Sequence, residues 1–325
     1  MRICFALWHL NGYRGTQTWT VAAARAMKAL GHEVSLYTVE RGRAAMRLMP
    51  EFPVYSMSHV GEVPKQDVLV VSQPRTFFEC RVCSIPVQPN STGLALAHMK
   101  GKRNCTGSGF RMKHVLPNAK HKVYVCHGVL LWHDAPVDNR TPYVAVSEEV
   151  QMYLKTNGID ATVVRQPVDL DLYCQGPALR QTRPRALSFS QVPVEVEILQ
   201  SACDEAGFEL VRPPEDSLWD VVPLIHSADV VIGTGRGLCE AMATGRAAIV
   251  CGTHGCDGLV SPRTLDLLLS HNFSGRATKG EVAGGLVLAL KDYDPELGPW
   301  SQDIARQHFD SKVNVQRIVE VACSK

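Results

Sequence analysis

Residues 228–245 read Ala-Asp-Val-Val-Ile-Gly-Thr-Gly-Arg-Gly-Leu-Cys-Glu-Ala-Met-Ala-Thr-Gly, and this stretch decides the fold. The apolar run at 229–232 predicts a buried strand, and the glycine-rich residues that follow it predict a tight turn. Residues 237–244 predict a helix that ends at Gly245. The stretch is therefore a strand, a turn and a helix, which is the repeating unit of α/β proteins.

The turn and the first helical turn carry groups that suit a phosphate-bearing ligand. The glycines at 233, 235 and 237 let the backbone approach a ligand closely, and amides at a helix start favour anions. Arg236 adds a forked cation beside these amides. Glu240, one turn further on, can accept hydrogen bonds from paired hydroxyls such as those of a ribose. The alternative is an ordinary β-turn-α unit with a surface arginine and a solvated glutamate.

The same alternation of strands and helices extends along most of the chain and predicts two doubly wound α/β domains. The predicted division is 1–174, 175–310 and a last helix at 311–325. Strands are predicted at 2–8, 34–38, 67–71, 122–126, 143–146, 185–189, 208–211, 229–232 and 247–250. Helices are predicted at 16–30, 195–206, 217–227 and 237–244.

The composition fits a globular protein with two domains. The chain has 325 residues, of which 45% are apolar and 20% are charged, and its formal net charge is +2. No apolar run approaches the ~20 residues of a membrane span. The first residues suit a strand better than a signal peptide, so a cytoplasmic location is expected. The chain has eleven cysteines, which are accordingly interpreted as reduced thiols, except for the group of Cys80, Cys83 and Cys105.

Three separated stretches resemble the large, mostly retaining family of GT-B glycosyltransferases. Of the three, the stretch with Glu-Ala-Met-Ala-x-Gly at 240–245 is the most specific match to the family. The others are Gly12-Tyr13-Arg14-Gly15-Thr16 followed by Ala29-Leu30-Gly31-His32-Glu33-Val34, and Val144-Ala145-Val146-Ser147 followed by Asn157-Gly158-Ile159 and Gln166-Pro167-Val168-Asp169-Leu170. The resemblance implies two Rossmann-like domains that face a central cleft, with the last helix at 311–325 packed back on the first domain. It also implies transfer of a sugar from a UDP- or GDP-sugar to an acceptor hydroxyl.

The resemblance also implies roles for individual residues. Glu240 is expected to bind the donor ribose, and Gly12, Gly15 and Thr16 to approach the donor phosphates from the other domain. His127 matches a recurrent histidine that faces the cleft, with a packed loop histidine as the alternative. The groups expected along the diphosphate are Gly233, Thr234, Gly235, Arg236, Gly237 and Leu238. The expected catalytic residues are His127, Arg236 and Glu240.

The sequence departs from the family pattern at three places. A first glutamate, usual eight positions before Glu240, is replaced by Ile232. The usual arginine-lysine pair after the first strand of the second domain is replaced by the run 188–191, Ser-Phe-Ser-Gln. A usual histidine is replaced within the run 72–75, Ser-Gln-Pro-Arg. Arg236 and Arg165 are therefore the candidates to meet the diphosphate charge. Asp169-Leu170-Asp171 is interpreted as a structural crossing, so no catalytic metal is expected.

Charge is concentrated in residues 80–133, which include most of a predicted insertion at 75–121. This stretch has no acidic residue, and the rest of the chain has an excess of acids. A basic acceptor side suits a polyanion such as nucleic acid, and hydroxymethylated DNA bases are the favoured acceptor. The alternative is a solvated loop that balances the acidic remainder. Its cations are Arg81, Lys100, Lys102, Arg103, Arg111, Lys113, Lys120 and Lys122.

The insertion also contains a spacing that suits a structural zinc ion. Cys80 and Cys83 form a Cys-x-x-Cys pair, and Cys105 with His98 or His114 would complete four ligands. Free thiols are the alternative, because the second half lacks a paired spacing.

Other functions remain open at the level of the sequence. The acceptor can instead be a cell-surface glycan or a lipid-linked sugar. A nucleotide-sugar 2-epimerase shares the fold, and the missing basic pair also fits an inactive nucleotide-binding module.

Overall fold

The computed structural model describes residues 1–74, 78–80, 112–129, 134–177, 183–189, 196–213 and 220–324. The chain forms two compact units. Unit 1 comprises Met1–Val146, Val150–Val164 and Val315–Lys325, and unit 2 comprises Ser147–Glu149 and Arg165–Asn314. No helix in the described ranges has both the length and the apolar character that a bilayer span requires.

Unit 1 is built on a seven-stranded, wholly parallel sheet with the order β3-β2-β1-β4-β7-β8-β9. A short antiparallel pair, β5 with β6, lies outside it. The strands are β1 Arg2–Leu10, β2 Glu33–Arg41, β3 Val54–Ser56, β4 Gln66–Ser72, β5 Phe78–Cys80, β6 Met112–His114, β7 Ala119–Cys126, β8 Tyr143–Ala145 and β9 Ala161–Val163. The helices before residue 160 are α1 Gly15–Ala29, α2 Arg43–Leu48, a 3-10 helix Met57–Glu62 and α3 Glu148–Thr156.

Unit 2 has a five-stranded sheet with the order β11-β10-β12-β13-β14. The first four strands are parallel, and β14 pairs with β13 antiparallel. The strands are β10 Arg185–Ser188, β11 Glu209–Val211, β12 Val230–Gly233, β13 Ala247–Gly252 and β14 Gly255–Leu259. The helices of unit 2 are α4 Val196–Ala206, α5 Val222–His226, α6 Arg236–Ala243, α7 Leu265–Ser270, α8 Val282–Lys291 and α9 Leu297–His308. Helix α10, Ser311–Cys323, begins in unit 2 and belongs to unit 1 from Val315 onward.

The central strands are apolar on both faces because helices cover both sides of each sheet. Val231 of β12 packs into a cluster with residues of α6 and α9, whereas Val230 and Ile232 pack into a second cluster with residues of α4 and α8. In unit 1, all four residues of the run 68–71 are buried. This two-sided burial explains why the strands could be predicted from unbroken apolar runs.

The predicted α/β class with two doubly wound parallel sheets is confirmed. Every predicted strand is present, and the ends differ by a few residues. The hairpin strand β14 was not predicted, because Gly-Cys-Asp-Gly-Leu has no apolar alternation. The main segment of unit 2 begins at Arg165, before the boundary predicted between residues 174 and 175. The three-part domain division itself stays a prediction.

The crossing segment at 166–168 is held by hydrogen bonds to the end of α9 and the start of α10. The Val168 amide donates to Phe309 O at 2.7 Å, and the Ser311 amide donates to Val168 O at 2.9 Å. Asn314 Nδ2 donates to Gln166 O at 3.3 Å and to His308 O at 2.9 Å. The segment is therefore satisfied by backbone and amide groups of unit 2.

The acidic residues just after the crossing have local structural partners. Asp169 Oδ1 accepts the amides of Asp171 and Leu172 at 3.1 and 3.2 Å. Asp171 pairs with Lys312 at 2.8 Å. These contacts agree with the interpretation of Asp-Leu-Asp as a structural element.

We expect Asn314→Ala to destabilise the protein by about 1–3 kcal/mol, because it leaves two carbonyl groups without their donor. The side chain is buried, so water cannot readily replace it. The free energy of urea unfolding measures the effect. Lys312→Ala is the matched control, because it removes an exposed ion pair nearby and should leave the unfolding midpoint unchanged. Equal effects of the two variants would contradict the role of Asn314.

Candidate functional site

The turn between β12 and α6 requires a glycine at its last position. Gly235 has φ +62°, in the left-handed region that glycine adopts readily. Its amide donates to Phe273 O at 2.8 Å, and helix α6 begins at the next residue. The turn is therefore fixed against the segment that follows α7.

The other glycines of the turn face an aromatic ring. A Cβ at Gly233 would lie 3.6 Å from Phe189 Cβ, and a Cβ at Gly237 would lie 3.7 Å from Phe189 Cδ2. Phe189 follows β10 directly, and its amide donates to Ile232 O at 2.9 Å. Phe189 thus covers the turn at the place where the family's basic pair was expected. Thr234 packs against the next strand, since a Cβ at Gly252 would lie only 2.7 Å from its Cγ2.

Arg236 and Glu240 form a buried ion pair on the first turn of α6. The distance from Arg236 Nε to Glu240 Oε1 is 2.8 Å, and both residues are 6% exposed. The helical spacing of four residues places the two side chains side by side. Arg236 Nη1 also donates to Pro167 O at 2.7 Å, which ties the pair to the crossing segment.

The pair leaves hydrogen-bonding capacity unused. Neither Arg236 Nε nor Glu240 Oε1 has an aligned hydrogen-bond partner among the described residues, although the two atoms are in ionic contact. Burial raises the pKa of Glu240, and the charge of Arg236 and a hydrogen bond from Tyr173 oppose this rise. A buried acceptor of this kind is suited to a hydroxyl donor.

Arg165 and Leu238, two further predicted residues, are engaged with the protein itself. Arg165 Nη2 pairs with Glu148 Oε1 at 2.6 Å, and Nη1 donates to Leu269 O at 3.1 Å. Leu238 is completely buried in the core of unit 2. Within unit 2, Arg165 thus holds the end of α7, and a role at the diphosphate stays a prediction.

The segment 271–280 lies against the turn and was missed by sequence reasoning. Asn272 and Phe273 have φ of +53° and +51°, which is uncommon for residues other than glycine. Gln166 Nε2 donates to Asn272 Oδ1 at 3.0 Å, and the Asp257 carboxylate accepts the amides of Ala277 and Thr278 at 3.1 and 2.8 Å. These contacts fix the carbonyl of Phe273 under the turn.

Unit 1 has a second set of predicted residues, centred on His127. This residue follows β7, and the distance from its Nε2 to Ser72 Oγ is 3.0 Å. Its ring meets Trp19 edge-on, with centroids 5.0 Å apart. The backbone amide of His127 donates to Asp134 Oδ1 at 3.2 Å. The imidazole is therefore oriented by a hydroxyl, a ring and the backbone.

Asp134 is a buried acid that sequence reasoning missed. It is 1% exposed, and burial raises its pKa to about 7. The Cys126 thiol donates to the backbone oxygens of Gly128 and Asp134 at 3.3 and 3.2 Å, which closes the loop after β7. The sequence feature that could have identified Asp134 is its position, since it is the first acidic residue after the acid-free stretch 80–133.

The predicted glycine loop leads into the start of α1. Gly12 and Gly15 are exposed, and nothing lies within 4 Å of a Cβ at either position. Arg14 precedes the helix and makes no side-chain capping bond. Thr16, in the first turn, is half-buried, and its carbonyl accepts from Thr20 Oγ1 at 2.9 Å. The helix start thus offers amides to an external acceptor.

The predicted zinc ligands cannot be placed. Cys83, His98 and Cys105 lie outside the described residues, and Cys80 and His114 are described only as ends of β5 and β6. In the described ranges, no three acidic, histidine or cysteine side chains group together as a metal site would need.

Comparison with known proteins reveals similarity at the level of structure. No protein-family model and no curated protein matches the sequence. Among solved structures, HepE (Alr3699) of Anabaena, in complex with UDP and glucose, is 14% identical over 99% of both chains, with a TM-score of 0.58. The lipopolysaccharide outer core galactosyltransferase WaaB is 13% identical over 99% of both chains, with a TM-score of 0.51. The chain has the GT-B fold.

One solved structure in the comparison is described as a different kind of enzyme. It is a candidate UDP-N-acetylglucosamine 2-epimerase from Listeria monocytogenes and is 12% identical with a TM-score of 0.50. The match covers 98% of this chain and 94% of that one.

The GT-B fold explains why the predicted residues gather at strand ends. In open α/β sheets, ligands bind outside the carboxyl ends of parallel strands. In unit 2, the turn residues 233–235 and the Arg236–Glu240 pair follow β12. In unit 1, Gly12 follows β1 and His127 follows β7. Each unit thus brings its own predicted residues to the edge at which α/β proteins bind ligands.

We expect Asp134 to make a contribution to stability that is lost as pH rises from about 4 to 7. Its folded-state pKa of about 7 lies above the ordinary value of 3.8, so the unfolded chain ionises first. Asp134→Asn removes this difference and still offers an oxygen to the His127 amide. Relative to wild type, the free energy of unfolding of the variant should increase as pH rises through this range, by up to roughly 4 kcal/mol. Above about pH 7 the difference between the two proteins should stay constant. Urea unfolding at several pH values measures the gain.

A parallel pH dependence for Asp134→Asn and wild type would mean that this carboxyl titrates normally. Asp138→Asn is a control with the opposite sign. Partial burial raises the pKa of Asp138, but backbone hydrogen bonds from Thr141 and Arg140 outweigh it and lower the pKa overall. This variant should therefore lose stability relative to wild type as pH rises.

Proposed function

We propose that the protein is a glycosyltransferase that moves a sugar from a nucleotide-sugar donor to an acceptor hydroxyl. The observation that carries the proposal is the buried Arg236–Glu240 pair behind the glycine turn, with Glu240 Oε1 lacking an aligned donor. In water-excluded surroundings such an acceptor favours a ligand that brings its own hydroxyls. Neighbouring hydroxyls of a ribose have that chemistry.

The donor is proposed to bind at the carboxyl end of β12. Glu240 accepts hydrogen bonds from the ribose hydroxyls, and the backbone at residues 235–237 lies along the diphosphate. The charge of Arg236 opposes the effect of burial on the pKa of Glu240, and Arg236 adds positive potential where negative charge develops on the leaving diphosphate. The similarity to HepE, whose structure holds UDP and glucose, supports a UDP-sugar as donor.

Residues of unit 1 are proposed to serve the acceptor and the donor phosphates. His127 supplies a ring nitrogen that is already oriented by Ser72 and Trp19, which suits hydrogen bonding to a sugar or an acceptor hydroxyl. Gly12, Gly15 and Thr16 offer the exposed start of α1 to phosphate.

For the acceptor, we propose a polyanion, with hydroxymethylated DNA bases as the favoured case. The supporting observation is the stretch 80–133, which has cations and no acids. Most of its cations lie outside the described residues, so the support comes from the sequence. A cell-surface glycan or lipid-linked sugar is the alternative acceptor.

A nucleotide-sugar 2-epimerase is the alternative activity, and the structural similarity to an epimerase of that class favours keeping it. Incubation with a UDP-sugar and no acceptor distinguishes the two. An epimerised sugar identifies the epimerase, whereas a transferase leaves the configuration at C2 unchanged.

We expect a UDP- or GDP-sugar to stabilise the wild-type protein against heat, by ~2.7 kcal/mol at a hundred times its dissociation constant. Glu240→Gln should abolish most of this gain, because the amide accepts hydroxyls less strongly than the carboxylate. Glu205→Gln removes an exposed acid of unit 2 and is the matched control. Thermal shift is measured for each variant against its own ligand-free baseline. A full ligand response in Glu240→Gln would refute the assigned ribose site.

We expect the protein to bind hydroxymethylated duplex DNA with an affinity that falls steeply with salt. Replacing Lys100, Lys102 and Arg103 together by alanine should reduce the salt slope. Replacing Arg43, Arg47 and Lys65, three exposed cations outside the acid-free stretch, should leave it unchanged. Sugar transfer to a neutral acceptor, without DNA affinity at low salt, would exclude the nucleic-acid acceptor and leave the transferase assignment intact.

A further inference from the structure

Two cysteines face each other across the hairpin of β13 and β14. Cys251 and Cys256 are register partners, and the next pair, Gly252 and Gly255, flanks a two-residue turn. The Cys256 amide donates to Gly280 O at 3.0 Å and not across the ladder, as in a non-hydrogen-bonded pair. Such pairs bring Cα atoms to ~4.5 Å, within the range that a disulfide spans.

Both side chains are free thiols that lie in the same core. Cys251 is 0% exposed and Cys256 is 5% exposed, and both pack into the cluster between the sheet and α8. Gly285 of α8 leaves room for the second sulfur, since a Cβ there would lie 3.4 Å from Cys256 Sγ. The two sulfurs therefore share one apolar compartment.

The thiols interact with each other as donor and acceptor. The Cys251 thiol donates a hydrogen bond to the Cys256 sulfur, which lowers the pKa of Cys256 and raises that of Cys251. Asp257 and Glu281, the nearest acids, act in the opposite direction on Cys256. A thiolate at Cys256 is the nucleophile that reacts with an oxidant.

The edge position of β14 gives a small oxidant a route to the pair. This strand is the last of its sheet, so it can open locally without disturbing the central strands. Cys256 lies on it and is the more exposed of the two residues.

We propose that Cys251 and Cys256 are a modification site that a hydroperoxide converts reversibly to a disulfide. The Cys256 thiolate attacks hydrogen peroxide and becomes a sulfenic acid, releasing hydroxide. The Cys251 thiol then displaces the sulfenic oxygen as water, and the sulfur–sulfur bond forms. Two thiols are oxidised by two electrons, and one peroxide is reduced. A dithiol reductant reverses the modification by exchange.

The modification is expected to change the conformation of the glycine turn between β12 and α6. Gly252 follows Cys251 and packs against the methyl group of Thr234, so strand β13 cannot move there without disturbing the turn. The disulfide itself does not depend on the proposed function, because its formation is measured on the protein without any substrate.

The test is peroxide treatment of the full-length, pre-reduced protein, followed by alkylation and tryptic mapping. Cleavage after Arg246 and Arg263 leaves both cysteines in one peptide, 247–263. We expect this peptide to resist alkylation after peroxide and to be two hydrogens lighter than the dithiol. Treatment with dithiothreitol before alkylation should restore a peptide that is alkylated twice.

Two variants sharpen the result. Cys251→Ser should stop the oxidation of Cys256 at a sulfenic or higher acid, whereas Cys203→Ser, a buried cysteine of α4, should leave the disulfide unaffected. A peptide 247–263 that remains a dithiol after peroxide, or in which Cys256 joins a different cysteine, would overturn the proposal. The wild-type mapping decides this even where a variant fails to fold.

Discussion

The burial of two opposite charges at the start of α6 is the constraint on which the candidate site depends. Moving a carboxylate and a guanidinium out of water is costly, and their mutual attraction often no more than offsets that cost. Here the Arg236–Glu240 pair is further held by Pro167 O and Tyr173. In other proteins, apolar residues of similar volume often replace a buried ion pair without loss of stability. Stability alone therefore does not account for the pair, whereas the proposed binding of a ribose gives the charges a function.

The surroundings keep this pair in place. Gly235 admits the sharp turn, and the carbonyl of Phe273 receives its amide, while Asp257 and Gln166 fix the segment that presents this carbonyl. The parallel strand β12 directs the turn to the carboxyl edge of the sheet. Preorganised groups of this kind need no rearrangement when charge develops on a leaving group. The backbone of the turn thus determines where the ion pair lies.

The parts that could be predicted are those that depend on local sequence. Unbroken apolar runs, as at 230–232, predict strands buried on both faces, and Gly245 predicts the end of α6. The partners of side chains could not be predicted, because they depend on packing between distant residues. Arg236 suggested a cation open to a ligand, but the helix aligns it with Glu240. Phe189 contacts the glycine turn, and Asp134 accepts a hydrogen bond from the His127 amide. No spacing in the sequence predicts either contact.

The central claim, that the Arg236–Glu240 pair receives the ribose of a nucleotide sugar, is tested most directly by a crystal structure with bound UDP. We expect the ribose hydroxyls to donate to the Glu240 carboxylate, Arg236 to keep its bond to Pro167 O, and the diphosphate to lie along residues 235–237. A nucleotide bound elsewhere, with Glu240 still in contact only with Arg236 and Tyr173, would contradict it.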